Sequence, residues 1–362
     1  MSSPPAPATS NPPAGAPPSP GVLRRSFAPL VLLITLLYGS SGCHTLDRCA
    51  GKSVAPGQSL SCPVPEHTDR AFELELPASW DGVAPLPVLI AFHGGGGNRH
   101  GALRVSCPGG NTDDPGCLSA QARARGLAVV RPDGTGSRPL RNIRTWNAGG
   151  GRDGLNCTSG PACKSGVDDL AYFDDLLAEL GRTIPVDGKR IFLTGLSNGG
   201  AISHRIACER PDRVAAIAAV GGANQFAAAG GACPGGVAVL QVHGTEDPCW
   251  TFPQTDRSCL ESDNAGIKVG ALESTEGWRA RNGCDPTPIE TPLPDTNPAD
   301  GTRTTRSSWS NCTAAVELLR VDGGGHTWPN GFPYFGEDRV GRVPRDFGSE
   351  ILLDFLLAHP RP

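Results

Sequence analysis

The sequence predicts an α/β protein: a mostly parallel central sheet, covered by helices on both faces, in a single domain. Three observations carry that expectation. Apolar stretches of strand length alternate with stretches of helical period, the order that builds a parallel sheet. Some of the strand-length runs are continuously apolar, such as PVLIAF at 87–92, as strands buried on both faces are. One run, RIFLT at 190–194, leads into the pentapeptide G-x-S-x-G at 195–199 and then a helical stretch, so a strand turns sharply into a helix at Ser197.

The 362 residues suffice for one large α/β domain. The net charge of −4 gives no long-range pull toward nucleic acid, and no such partner is expected. None of the thirteen cysteines forms a C-x-x-C pair, which removes zinc-ribbon and thioredoxin-like readings. No metal site or cofactor motif is apparent. So many thiols fit an oxidising compartment.

Residues 1–20 are Pro, Ala and Ser without apolar periodicity, and are expected to be disordered. Arg24 and Arg25, an apolar run from Phe27 to Tyr38, and small residues up to Cys43 have the layout of a secretory signal. The run is too short to span a bilayer comfortably. A cysteine after Ser-Gly is similar to a lipoprotein cleavage site, although Ser40 stands where such sites prefer Leu. Lipidation of Cys43 and plain cleavage are therefore both open, and the expected location is extracellular, periplasmic or lipid-anchored at the cell surface. Residues 1–43 are read as tail and signal, 44–65 as a linker with one cysteine pair, and 66–362 as the domain. A monomer is expected.

Without Cys43, twelve cysteines fall into six neighbouring pairs: Cys49 with Cys62, Cys107 with Cys117, Cys157 with Cys163, Cys208 with Cys233, Cys249 with Cys259, and Cys284 with Cys312. Neighbour pairing is the simplest hypothesis, because short loops close at least entropy.

Along the domain, AFELEL at 71–76 alternates like a half-exposed strand. The run at 87–92 follows, leading into His93 and four glycines. A short strand is expected at 127–131, then an amphipathic helix at 167–180 with Leu170, Phe173, Leu177 and Leu180 on one face. After the 190–194 strand and a helix at 200–208 come strands at 214–220 and 237–243, a helix at 268–282, a Pro/Thr/Asp loop at 285–305, a strand at 315–321 and a helix at 347–358.

Open α/β sheets place their chemistry at the carboxyl ends of strands. Three such ends carry suggestive residues: Ser197, then Glu246 and Asp247 after the 237–243 strand, then His326 after Gly323–Gly325. A serine hydroxyl needs a base to take its proton, and an imidazole needs an acid to hold its tautomer. Among eight histidines, His326 is the candidate base, free on a Gly-rich loop; His93 and His243 precede Gly at strand ends, where structural roles are expected, and His204 lies on the elbow helix. Asp247 is preferred over its neighbour Glu246. The N–H of Asn198 is one candidate oxyanion donor, and Gly95 of the HGGGG loop is the other, with Gly94 close behind. Trp146, Trp250 and Trp328 flank these motifs and read equally as an aromatic substrate wall or as core.

Taken jointly, HGGGGN (93–98), TWNAGG (145–150), GVDDLAYFDDLL (166–177), LTGLSNGGA (193–201), RIACERPDRVAAIAAVGG (205–222), VHGTEDPCW (242–250) and GGGHTWPN (323–330) resemble the secreted polyhydroxybutyrate depolymerase and feruloyl esterase family. The resemblance covers roughly residues 66–358. It implies an α/β-hydrolase fold and a serine carboxylic ester hydrolase with Ser197, Asp247 and His326 as triad. It also implies pairing of Cys208, Cys233, Cys284 and Cys312. The implied substrate is a small or oligomeric ester, on plant cell-wall polysaccharide or polyester. Acetylxylan esterase, a serine peptidase of the same fold and a non-catalytic binding protein are the alternatives. The loops at 99–120 and 134–166 look like local elaborations over the expected site.

Overall fold

The computed structural model describes residues 49, 52, 54–137, 143–158, 160–253 and 267–362. The expected tail and signal with Cys43 lie outside the described residues, as does Cys259. In chain order the elements are β1 (Ser59–Val64), β2 (His67–Glu75), β3 (Leu86–Phe92), α1 (Arg99–Val105), α2 (Leu118–Ala124), β4 (Ala128–Pro132), β5 (Thr135–Ser137), β6 (Ile143–Thr145), α3 (Pro161–Lys164), α4 (Asp169–Thr183), β7 (Val186–Leu196), α5 (Asn198–Glu209), β8 (Ala216–Val220), α6 (Gln225–Ala228), β9 (Ala238–Gly244), α7 (Ala271–Arg281), β10 (Ile289–Pro292), β11 (Arg303–Ser308), β12 (Val316–Asp322), α8 (Glu337–Val340) and α9 (Ser349–Ala358).

Ten strands form one sheet in the order β1-β2-β4-β3-β7-β8-β9-β12-β11-β10. The central run from β4 to β12 is parallel, and the strands outside it pair antiparallel. This is the arrangement of an α/β-hydrolase. Alternation along β3 feeds both faces of the sheet: Val88, Ile90 and Phe92 join one apolar cluster, Leu89 and Ala91 the other. The first cluster takes Leu170, Phe173, Leu176 and Leu180 of α4, Ile202 and Ile206 of α5, and Trp278 of α7. The second takes Leu118 and Ala122 of α2 and Leu352, Leu353, Phe355 and Leu356 of α9. Helix α4 starts where Asp168 accepts bonds from the N–H groups of Leu170 and Ala171 at 3.1 and 2.9 Å. No described helix is long and apolar enough to cross a membrane.

Two sequence expectations are corrected here. Residues 59–64 are not linker but strand β1, whose Cys62 and Val64 point inward. The 285–305 segment is not only loop: it holds β10 and the start of β11, an antiparallel extension of the sheet. All four residues of β10 are exposed, so no apolar alternation marked it in the sequence.

Among the described residues the neighbour pairs Cys49–Cys62, Cys107–Cys117, Cys157–Cys163, Cys208–Cys233 and Cys284–Cys312 form disulfides. Cys249 is also disulfide-bonded. The Cys284–Cys312 bond ties the end of α7 to the approach of β12 and closes a 28-residue separation. Replacing both cysteines by serine is expected to lower stability by about 3 kcal/mol. Urea unfolding of the oxidised protein measures this; an unchanged midpoint would mean that packing alone fixes the two segments.

Candidate active site

The site begins with the turn from β7 into α5. Ser197 sits between them at φ 59°, ψ −121°. An L-residue adopts that conformation only under constraint. The constraint is the close approach of neighbouring backbone. A Cβ built on Gly195 would lie 2.6 Å from the Phe92 carbonyl oxygen, and one on Gly199 only 2.3 Å from it. Both positions therefore require glycine. The Ser197 N–H donates to the Val220 carbonyl at 2.8 Å, pinning the turn to the end of β8. Ser197 is partly exposed, whereas Asn198 is fully buried.

Beyond β9 the chain turns so that Asp247, not Glu246, points inward. Asp247 is 4 % exposed. Glu246 faces solvent and lies 3.5 Å from the guanidinium of Arg342. The Asp247 Oδ1 accepts from the N–H groups of Cys249 and Trp250 at 2.7 and 2.8 Å. Its Oδ2 lies 2.6 Å from Nδ1 of His326 and 3.3 Å from Nε2 of His243. Burial alone pushes this carboxyl up. The charge of His326 and the hydrogen bonds from His243 and His326 outweigh that and hold it well below the carboxylate range. Asp247 is thus a fixed anion against the imidazole.

His326 is buried at the start of the loop after β12, its backbone N–H bonded to the Val340 carbonyl at 2.6 Å. The Gly221 turn after β8 carries backbone close to its ring. A Cβ on Gly221 would lie 3.1 Å from His326 Nδ1, and one on Gly222 would lie 2.0 Å from the Ser197 carbonyl oxygen. Residues 221 and 222 are therefore the narrow floor between ring and elbow. Among the described residues no hydrogen bond yet joins the Ser197 hydroxyl to the ring.

The glycine loop after β3 forms the facing wall. Gly94 to Gly97 make a tight turn, with the Gly97 N–H on the Gly94 carbonyl at 3.0 Å. A Cβ on Gly94 would be 3.6 Å from that of Ser197, and Gly95 is exposed at the tip of the turn. The His93 ring anchors the loop from beneath: Nδ1 donates to the Gly94 carbonyl at 2.8 Å and Nε2 accepts from the Gly134 N–H at 2.9 Å. The structural role read for His93 fits this geometry.

The substrate-wall reading of the tryptophans is corrected. Trp146, Trp250 and Trp328 are 1, 1 and 2 % exposed. Each indole N–H is satisfied inside the protein: by the His93 carbonyl at 3.0 Å, the Val269 carbonyl at 2.8 Å and the Ser349 hydroxyl at 3.0 Å, respectively. Indoles whose polar edge is already paired pack as core. Trp146 does more than fill space. Its backbone N–H and carbonyl pair with the Asn198 side chain at 2.7 and 3.0 Å, while its ring holds the residue before the glycine loop. It links the two segments from which oxyanion donors are expected. The next N–H, of Asn147, donates to Asp169 at 2.6 Å, and Asp169 is paired with buried Arg70 at 2.7 Å.

Sequence reading missed the groups behind Asp247. Besides His243, Lys268 feels the Asp247 charge while its ammonium bonds the Cys249 carbonyl at 3.1 Å; burial lowers its proton affinity. Tyr334 is held above the usual phenol range by burial and, secondarily, by Asp247. The one available signal was the placement of Gln241 and His243 two residues apart on one strand, hence on one face.

Two expectations follow. Trp146→Phe keeps the ring but frees the His93 carbonyl, so kcat/KM for a p-nitrophenyl ester should fall roughly 5- to 30-fold, as loss of a buried hydrogen bond would cause. An unchanged rate would show that the loop is held without the indole. His93 and His204 are both pushed down from 6.5 to about 4 by burial. The unfolded chain takes up these protons below about 6.5 and the folded chain only near 4, so stability should be lost as pH falls through that window. Thermal unfolding from pH 7 to pH 4 reads this, and a flat midpoint would contradict it.

No family model matches the chain. Among curated proteins, a probable feruloyl esterase C of Aspergillus niger is 26 % identical over 294 residues, covering 81 % of this chain and 90 % of its own. Feruloyl esterase C of Emericella nidulans is 26 % identical over 268 residues, 74 % of this chain and 80 % of its own. A putative esterase, NocK, of Nocardia uniformis is 28 % identical over 280 residues, 75 % and 74 %. Among solved structures, an acetyl xylan esterase from Aspergillus awamori superposes with TM-score 0.48 at 15 % identity, covering 75 % of this chain and 94 % of its own.

Proposed function

We propose that the chain is an esterase of the feruloyl esterase type, a secreted hydrolase of feruloyl-type esters on plant cell-wall polysaccharide working through Ser197, His326 and Asp247. The observation that carries this reading is the 2.6 Å bond from His326 to a buried Asp247, in a chain whose Ser197 is held at the tip of a strand-to-helix turn. The relatives' names supply the ester class, and the disulfides fit an extracellular location.

In the proposed mechanism His326 takes the Ser197 hydroxyl proton as Oγ attacks the ester carbonyl. Catalytic hydrogen bonds of this kind are often loose before substrate binds and tighten in the complex. The oxyanion of the tetrahedral intermediate rests on the N–H of Asn198, at the first turn of α5 where no intrahelical acceptor exists, and on that of Gly95. Asp247 stabilises the imidazolium throughout. His326 then gives the proton to the departing alcohol as the carbonyl carbon–alkoxy bond breaks, leaving the acyl group on Oγ. Water, deprotonated by the same ring, attacks the acyl carbon; the acyl carbon–Oγ bond then breaks, His326 returns the proton to Oγ, and the acid and free Ser197 are released. The chain is proposed to need no cofactor or metal for these steps.

The test is a panel of methyl ferulate, acetylated xylan and hydroxybutyrate oligomers, run with the parent enzyme and Ser197→Ala. Methyl ferulate is expected to be cleaved fastest, and Ser197→Ala to lose at least about 10³-fold in kcat. Preference for acetylated xylan or hydroxybutyrate would move the substrate class; retained activity in Ser197→Ala would remove the mechanism.

A further inference from the structure

Behind Asp247 runs a line of buried polar side chains that no step of the mechanism uses. It starts at Trp278 on α7, crosses His204 on α5, and reaches Gln241 and His243, which share a face of β9. All four are at most 1 % exposed. The indole Nε1 of Trp278 lies 2.9 Å from His204 Nδ1. The Nε2 of His204 lies 3.0 Å from Gln241 Oε1. Gln241 Nε2 lies 3.2 Å from His243 Nδ1. The Nε2 of His243 faces both the Trp250 carbonyl and Asp247 Oδ2.

The direction of every bond is forced, and from both ends. An indole N–H can only donate. His204 Nδ1 must therefore accept, which puts the proton of a neutral ring on Nε2 and makes the Gln241 oxygen an acceptor. The Gln241 amide nitrogen then faces His243 Nδ1 and, at 3.0 Å, the Gly222 carbonyl; both are acceptors, so the amide has one consistent orientation. From the other end, a backbone carbonyl and a carboxylate can only accept, which puts the His243 proton on Nε2 as well. The two deductions meet at Gln241 without conflict. Burial also favours a neutral ring at His204.

We propose that Trp278, His204, Gln241 and His243 form a one-way hydrogen-bond chain that locks His243 as an Nε2–H donor to Asp247. His243 is then a positioning residue for the triad acid, and its donation limits how strongly Asp247 stabilises the imidazolium of His326. This rests on the esterase reading for its kinetic consequence only; the tautomers follow from the packing.

Among the described residues, the other charged or titratable groups around Asp247 are Lys268 and Tyr334, with the Glu246–Arg342 pair outside them; Arg281 acts on His204. Among the described residues the side chains that face Oδ2 are His326, bonded at 2.6 Å, and His243, whose Nε2 lies 3.3 Å away while also bonding the Trp250 carbonyl. Removing that donor leaves more negative charge for the imidazolium to feel.

Two measurements test the proposal. In protein labelled with ¹⁵N-histidine, at pH 7.5, ring nitrogen shifts should identify His204 and His243 as neutral with the proton on Nε2. An Nδ1–H tautomer or an imidazolium at either ring would overturn the chain. This readout needs neither a variant nor catalysis, so its failure is distinct from failure of the esterase reading. In the second, the acid limb of kcat/KM for a p-nitrophenyl ester is compared in His243→Leu and His243→Gln. The limb should move up by about half to one pH unit in the leucine variant and return toward the parent position in glutamine, which keeps a donor. Identical limbs in parent, leucine and glutamine proteins would contradict the role given to His243. If the leucine variant does not fold, the tautomer assignment still decides.

Discussion

Ser197 holds a backbone conformation that costs an L-residue on the order of 1–3 kcal/mol, and much of the surrounding structure exists to impose it. The strand before it is central in the sheet, hydrogen-bonded on both sides by β3 and β8. The helix after it is packed so closely that Gly195, Gly199 and Gly222 leave no room for side chains. A relaxed turn would need the β7–α5 junction to open, and the core contacts of Ile202 and Ile206 oppose that. The hydroxyl is therefore delivered to one place, independent of any ligand.

Around this point the sheet gathers three further strand ends. Strand β3 supplies the glycine turn, β9 the carboxylate, β12 the imidazole. Each is fixed by polar contacts rather than by loop stiffness. The carboxylate is the demanding member, because burying an unpaired anion would cost several kcal/mol or shift it to the neutral form. Three donors bond it, two backbone N–H groups and the His326 imidazole, and the His243 Nε2 faces it at 3.3 Å. These hold Asp247 charged in a dry site, the state in which it can orient an imidazole and stabilise its cation. The buried line from Trp278 to His243 keeps a proton on that facing nitrogen.

Much of this was legible in the sequence because the chemistry is written into local patterns. The glycines flanking Ser197 report a close backbone approach. The order of Ser197, Asp247 and His326, each after an apolar run, reports three strand ends. Neighbouring cysteines reported their own pairing. The failures have a common cause: burial is a tertiary property. Trp146, Trp250 and Trp328 flank motifs whether they line a pocket or fill a core, and only the partners of their N–H groups distinguish the two. Strand β10 is exposed on every residue and carries no periodic signal. The contact of His243 with Asp247 arises because the chain turns back after β9, which no spacing rule specifies.

The central claim is that Ser197 alone, of all the hydroxyls in the chain, is activated for acyl transfer. Reaction with diethyl p-nitrophenyl phosphate, followed by intact mass and peptide mapping, tests it most directly. The expected result is one diethylphosphoryl group per chain, on Ser197, formed in step with the loss of esterase activity. Modification at another residue, or full esterase activity with Ser197 phosphorylated, would contradict the account.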